Sequence, residues 1–282
     1  MKLKVYLEAI RIKNIAKNIV IFLPFLFSGG FLENFDIQLT LNLLKTCLLF
    51  FFISGIVYLF NDIQDMEEDK QHPVKKLRPI PSGQVSKSEI NLLVIVLFLL
   101  FIFFLFTLNE TNRTYIFILC LIYLILNIFY SKFIKKWSYL VGSIFVSSGF
   151  FIRLLLGASV AEINLKIWLV SLLIISSFFI SILKKYSDSE NKSRFQYRII
   201  FFTGLVLAIS YCIHFQFEIG YGNYFVLSIS NSLLAIYIIF RVFKTFTLNN
   251  SHNDPVEYFL QLPNLVLNSF WFLSYIYLRY IL

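Results

Sequence analysis

The sequence predicts an all-α polytopic membrane bundle of nine transmembrane helices around a central cavity, on three observations. Of its 282 residues 58% are hydrophobic, 19% aromatic and only 15% charged, with a mean hydropathy of +0.75, whereas soluble domains are about 45–50% apolar. Apolar runs approaching the roughly 20 residues that a helix needs to cross a bilayer recur along the whole chain. The cations gather on alternate connections between those runs, as topology demands of a membrane protein. Helices of one bundle share one interior, so residues 1–282 are expected to form a single domain.

The first run, 17–32, follows Lys2, Lys4, Arg11, Lys13 and Lys17. It has the outline of a secretion signal, but Pro24 interrupts its apolar core and no A-x-A-like site follows, so it reads as a retained helix. The other runs are 40–61, 89–108, 114–131, 139–158, 166–184, 197–216, 223–243 and 260–281. Most of the 25 Lys and Arg residues fall at the N-terminus and in the second, fourth, sixth and eighth connections; only Lys45, Arg113, Lys166 and Arg279 fall on the opposite side. A cytoplasmic N-terminus and an external C-terminus are therefore expected. The same asymmetry accounts for the net charge of +9, and with no soluble surface on which to cluster cations a nucleic-acid partner is excluded. Cys47, Cys120 and Cys212 stand apart within apolar runs, as small hydrophobes do.

The connection after the second run begins NDIQDMEEDKQHPVKKLRPIPSG. On a continuous helix, at about 100° per residue, Asp62, Asp65 and Asp69 fall within about 60° of one another, with Asn61 beside Asp65. The C-terminal end of a helix disfavours anions, and like charges repel, so a positive partner is required. Carboxylate oxygens in this pattern suit Mg2+, which binds through one or two carboxylates plus substrate phosphates. The basic segment His72, Lys75, Lys76, Arg78 and Lys87 is a second compensator, compatible with the first. The bland alternative is a solvated helix exit. Pro73, Pro79 and Pro81 exclude a regular helix beyond it, Gly83 permits a turn, and Ser86 with Glu89 predicts a capping box for the third span.

Arg153, deep in the fifth span, is costly in lipid and is expected to meet a substrate phosphate or an internal partner. His214 has no acidic or cysteine neighbour at ligand spacing and reads as structural.

The motif N-D-x-x-D-x-x-x-D at 61–69 resembles the first aspartate-rich motif of the UbiA superfamily of membrane prenyltransferases. The continuation H-P-x-K-x-x-R-P-x-x-S-G resembles its decaprenyl-phosphate phosphoribosyltransferase-like branch. RIKNIAKNIVIFLPFLFSG resembles that branch through Arg11, Lys17 and Asn18, NIFYSKFIKK through Tyr130, Ser131 and Lys135, GFFIRLLLGA through Arg153, and NDPVEYFL through Asp254, Pro255 and Glu257. Where the branch reads K-R-Y-A-E, this chain has Lys184, Lys185, Tyr186, Ser187 and Asp188; aromatic prenyltransferases carry a second D-x-x-x-D there instead. Gly142 departs from the branch, which has an aspartate at that point.

The resemblance implies a Mg2+-dependent transferase of the bacterial plasma membrane, its mouth facing the cytoplasm. The donor would carry a diphosphate, namely 5-phosphoribosyl diphosphate, and the lipid acceptor would be a polyprenyl phosphate. Asp62, Asp65 and Asp69 would hold the metal, and Asp188 would complete a second metal site. Lys17, Lys75, Arg78, Lys184 and Lys185 would clamp phosphates, and Asn18, Asn61, Tyr130, Lys135, Arg153 and Tyr186 would contact substrate. Two alternatives remain at this point: prenyl transfer from a prenyl diphosphate to an aromatic acceptor, and cation transport, for which the one-sided acids and absent internal symmetry fit poorly.

Overall fold

The computed structural model describes residues 2–29, 36–134, 139–189, 192–219, 224–248 and 255–280, and among them every regular element is helical. Seven helices are long and apolar enough to cross a membrane, and the protein is an integral membrane protein. The first expected span is not one of them. It is divided into a 3-10 segment, Ile12–Phe22, and a short α-helix with Pro24 near its start. The last expected span is a continuous helix, but Pro263, Asn264 and Asn268 dilute its hydropathy. Lys135, Lys136 and Asp254 lie outside the described residues.

The chain divides into two compact units. Unit 1, residues 1–138 and 152–164, contains α1 (Lys2–Ala9), the 3-10 segment, α2 (Leu23–Ser28), α3 (Ile37–Gln64), α4 (Met66–Gln71), α5 (Lys87–Leu105) and α6 (Glu110–Phe129). The second half of α7 (Tyr139–Ala161) also belongs to it. The buried central helix is α3, packed against α5, α6 and the 3-10 segment, with Leu43, Leu49, Phe50, Ile53 and Leu59 inside. On α5 and α6 the outward residues, Leu99, Phe103, Ile118 and Ile125 among them, are exposed, as suits lipid contact.

Two close contacts fix the 3-10 segment, which is much longer than such helices ordinarily run. Asn18 Nδ2 donates to the Cys47 carbonyl (3.0 Å) and the Cys47 thiol donates to the Asn18 carbonyl (3.4 Å), stitching it to α3. On its other side a Cβ at Gly157 would collide with the Ile21 carbonyl, so only glycine lets α7 run this close.

Unit 2, residues 139–151 and 165–282, contains the first half of α7, then α8 (Ile167–Asp188), α9 (Arg194–Ile219), α10 (Phe225–Leu248), α11 (Pro255–Leu260) and α12 (Leu262–Tyr280). Its helices pack as α8 on α9, α9 on α10 and α10 on α12, with Phe179, Ile182, Leu183, Ile200 and Phe246 between them. Neutral polar bonds join the last three. Tyr211 donates to Asn231 Oδ1 (2.5 Å), Trp271 Nε1 donates to Tyr211 (3.1 Å), and Asn231 Nδ2 donates to Ser274 (2.6 Å). His214 stacks on Trp168 at 3.6 Å, consistent with a structural role.

Candidate active site

The acidic connection does not continue α3 as one helix. The chain turns at Asp65 (φ −89°, ψ 0°), and α4 starts anew at Met66. The electrostatics explain the break: a continued helix would hold these acids near a C-terminal dipole, whereas restarting it puts Glu67, Glu68 and Asp69 in a first turn, where anions are favoured. The single helix that the one-face spacing assumed is thus interrupted at Asp65.

Asp62 and Asp69 are nevertheless brought together, and both are buried. Arg78 joins them, its Nη1 2.8 Å from Asp69 Oδ2 and 3.4 Å from Asp62 Oδ1. Asp62 also accepts from Arg11, whose guanidinium lies 4.7 Å above the Tyr58 ring. Arg11 has a left-handed backbone (φ 57°), uncommon for a residue with a side chain, and this bend between α1 and the 3-10 segment delivers it to Asp62. Asp65 is half-buried at the turn, within electrostatic reach of the Tyr130 phenol. Tyr130 opens a π-helical turn, Tyr130–Ile134, the kind of local widening that recurs at functional sites.

The tail that follows is a folded cap. Ser82 N bonds to the Arg78 carbonyl and Val85 N to the Pro79 carbonyl, while Pro79, Ile80, Pro81 and Val85 are buried. Gly83 makes the left-handed turn (φ 76°). Val74 N and Lys75 N both donate to His72 Nδ1, which gives His72 a role in loop geometry. The Ser86–Glu89 capping box forms as expected. Glu89 additionally accepts from Lys2 (2.8 Å) and Tyr6 (2.7 Å), tying α1 to the start of α5. Both donors hold their protons above their usual range because of that bond.

Asn18 and Arg153 meet in the buried interior of unit 1. Arg153 Nε donates to Asn18 Oδ1 (2.9 Å), and the guanidinium stacks 4.4 Å from the Phe50 centroid. Lys17 lies half-buried on the same 3-10 segment. Lys184, Lys185, Tyr186 and Asp188 are collected at the end of α8 in unit 2. Lys185 Nζ donates to the Tyr139 carbonyl (3.3 Å), the Tyr139 hydroxyl donates to the Ile182 carbonyl, and Lys192 lies over the buried Tyr186 ring. Asp188, partly exposed, is the last residue of α8.

Among the described residues no three His, Cys, Asp or Glu side chains form a ready metal-binding group; Arg78 bridges Asp62 and Asp69 instead. The donors still suit a hard cation. Asp62, Asp65 and Asp69 offer carboxylate oxygens, and Asn61 Oδ1 is a buried oxygen with no hydrogen-bond partner, an expensive condition that a cation would relieve. Arg11 and Gly157 are the contributions that pattern reading underrates. Arg11 is visible as a basic flank, but its partner is 51 residues away.

Decaprenyl-phosphate phosphoribosyltransferase of Mycobacterium tuberculosis is 26% identical over 182 residues, 64% of this chain and 59% of that protein; the match spans under two thirds of the relative. Digeranylgeranylglyceryl phosphate synthase of Methanococcus vannielii is 29% identical over 67% of this chain and 65% of that protein. The fold is that of a UbiA homolog from Archaeoglobus fulgidus bound to GPP and Mg2+, with TM-score 0.62 and 18% identity over 99% of this chain and 100% of that one. Residues 21–262 match one family throughout, and the chain belongs to the UbiA prenyltransferase family.

Proposed function

We propose that the protein is a Mg2+-dependent intramembrane transferase that moves 5-phosphoribose from phosphoribosyl diphosphate to a polyprenyl phosphate. The observation that carries this reading is the buried Asp62–Arg78–Asp69 cluster, next to which in sequence Asn61 keeps a buried oxygen without a partner. Asp62, Asp65 and Asp69, with Asn61, would hold the metal, and Asp188, the last residue of α8, is proposed to complete a second metal site. Bound there, Mg2+ would neutralise the departing diphosphate and orient it.

The chain's own residues do the rest. Lys17, Lys75, Arg78 and Lys184 clamp phosphate oxygens through charge-assisted bonds, and Tyr130, Lys135 and Tyr186 line the substrates. Asn18 and Arg153 act from the interior, by fixing the 3-10 segment that presents Arg11. The bond from ribose C1 to diphosphate oxygen breaks with its electron pair leaving on diphosphate, and a bond from C1 to an oxygen of the lipid phosphate forms. The acceptor is already ionised, so no general base is assigned. The relative named as a phosphoribosyltransferase and the Lys184–Asp188 segment, which lacks a second D-x-x-x-D, favour this donor over a prenyl diphosphate. The basic ends favour a site on the cytoplasmic side of a bacterial plasma membrane.

The test is to incubate the purified protein in lipid with Mg2+, decaprenyl phosphate and either labelled phosphoribosyl diphosphate or labelled geranylgeranyl diphosphate with an aromatic acceptor. Phosphoribosylated lipid is the expected product. Transfer of only the isoprenyl label would replace this reading with prenyl transfer, and turnover unaffected by chelation of Mg2+ would refute the metal assignment.

A further inference from the structure

Unit 2 carries a groove that the reaction chemistry above does not use. It lies between the first half of α7, α8 and α9, has a volume of about 580 Å3, and is walled by Ile144, Phe151, Ile174, Phe178, Phe202 and Val206. Its few hydroxyls are occupied. Ser147 donates to the Ser143 carbonyl, Ser148 to the Phe145 carbonyl and Thr203 to the Ile199 carbonyl. The groove therefore offers a hydrocarbon surface and no spare donor, which suits an occupant without polar atoms along its length.

One end of that groove is basic. Residues seven apart share a helix face about two turns apart, and residues four apart about one turn, so Lys185 continues the Phe178 stripe of α8 and Arg198 precedes the Phe202 stripe of α9. These ends lie together, since α8 leads into α9 through 189–193 and Lys185 bonds to Tyr139 at the start of α7. Arg198 is exposed there. An apolar channel ending in two cations matches a molecule with a long hydrocarbon tail and an anionic head.

We propose that this groove holds the isoprenoid tail of the polyprenyl phosphate acceptor, with the phosphate against Lys185 and Arg198; the inference rests on the acceptor class assigned above. It fixes which lysine of the Lys184–Lys185 pair faces the acceptor. It also makes the acceptor's length, not only its phosphate, part of recognition.

The test replaces Phe202 with a benzophenone amino acid in the full chain, reconstituted in phosphatidylcholine, and irradiates it with tritiated decaprenyl phosphate. Label is expected at residue 202, displaced by unlabelled decaprenyl phosphate but not by equal phosphatidylglycerol or geranyl phosphate. Lys185→Gln combined with Arg198→Gln is expected to reduce labelling at least about tenfold while the thermal melt stays within a few degrees; labelling unchanged by that pair overturns the basic collar. Displacement by phosphatidylglycerol as effective as by decaprenyl phosphate would make the groove a bulk-lipid surface, and crosslinks between two copies of the chain would make it a protein interface; either overturns the proposal, as does no label. Binding of labelled phosphoribosyl diphosphate is measured in the same samples. Label without donor binding sustains the groove and rejects the donor, whereas donor binding without label rejects the groove alone.

Discussion

The two units hold themselves together with different polarity. Unit 1 buries charges: Asp62, Asp69 and Arg153 are all below 5% exposed, with Arg11 and Arg78 against the acids. Unit 2 joins its helices with neutral groups, Tyr211, Asn231, Gln216, Ser228 and Trp271. A neutral hydrogen bond suffices to hold helices in lipid and costs little to bury, whereas ionised groups there are expensive. We read the charge buried at Asp62 and Asp69 as kept for the proposed chemistry, and that of Arg153 as kept to hold the 3-10 segment through Asn18.

The largest test of that contrast is Asp62→Ala. It leaves Arg11 and Arg78 facing an emptied position, at a cost of about 3–5 kcal/mol for breaking a buried pair, and removes a proposed metal ligand, so transfer should fall at least about a hundredfold. Thermal melting in detergent and the labelled-donor assay measure the two separately. Undiminished transfer would reduce the cluster to a structural ion pair.

Next comes Gly157→Ala. The added methyl strikes the Ile21 backbone carbonyl, which cannot rotate away, so the loss should reach about 3 kcal/mol. In unit 2 a methyl at Gly204 meets the Phe179 ring at 3.0 Å, a side chain that can shift, and Gly204→Ala should cost clearly less. Equal losses would remove the claim that unit 1 is held to backbone tolerance around its 3-10 segment.

How far such features were legible from sequence depended on their range. Seven long helical runs, the Ser86–Glu89 capping box and the gathering of acids at 62–69 are local patterns, and they form. The break at Asp65 was missed because the periodicity argument assumes a continuous helix, although the dipole argument already spoke against one. The 3-10 form of Ile12–Phe22 depends on Cys47 and Gly157, which approach it from other helices. Arg153 was recognisable as an anomaly in an apolar span, yet its partner Asn18 is 135 residues away. The pairing could come only from coordinates.

That pair supplies a smaller test. Arg153→Met keeps an apolar stem but removes the guanidinium over Phe50 and the donor to Asn18 Oδ1, leaving a buried acceptor unsatisfied at about 1–3 kcal/mol. If Arg153 acts by holding the 3-10 segment, Asn18→Leu should cost less in the Arg153→Met chain than in the parent, since only the bond to Cys47 is left to lose there. The KM for donor should change less than kcat. A selective rise in donor KM would instead put the guanidinium on substrate.

The smallest effect is expected in unit 2. Asn231→Leu removes bonds to Tyr211, Ser274 and the Trp271 carbonyl, but Trp271 Nε1 still partners the Tyr211 hydroxyl. At about 0.6 kcal/mol per bond between membrane helices, the loss should be about 1–2 kcal/mol, visible as a modest fall in melting temperature with transfer unchanged. The neutrality of the network is what makes this loss tolerable: no charge is stranded when one member goes, so the neighbours need only re-pair. A collapse of transfer in Asn231→Leu would mean that unit 2's neutral bonds also position reacting groups, and the division of labour between charged and neutral burial would fail.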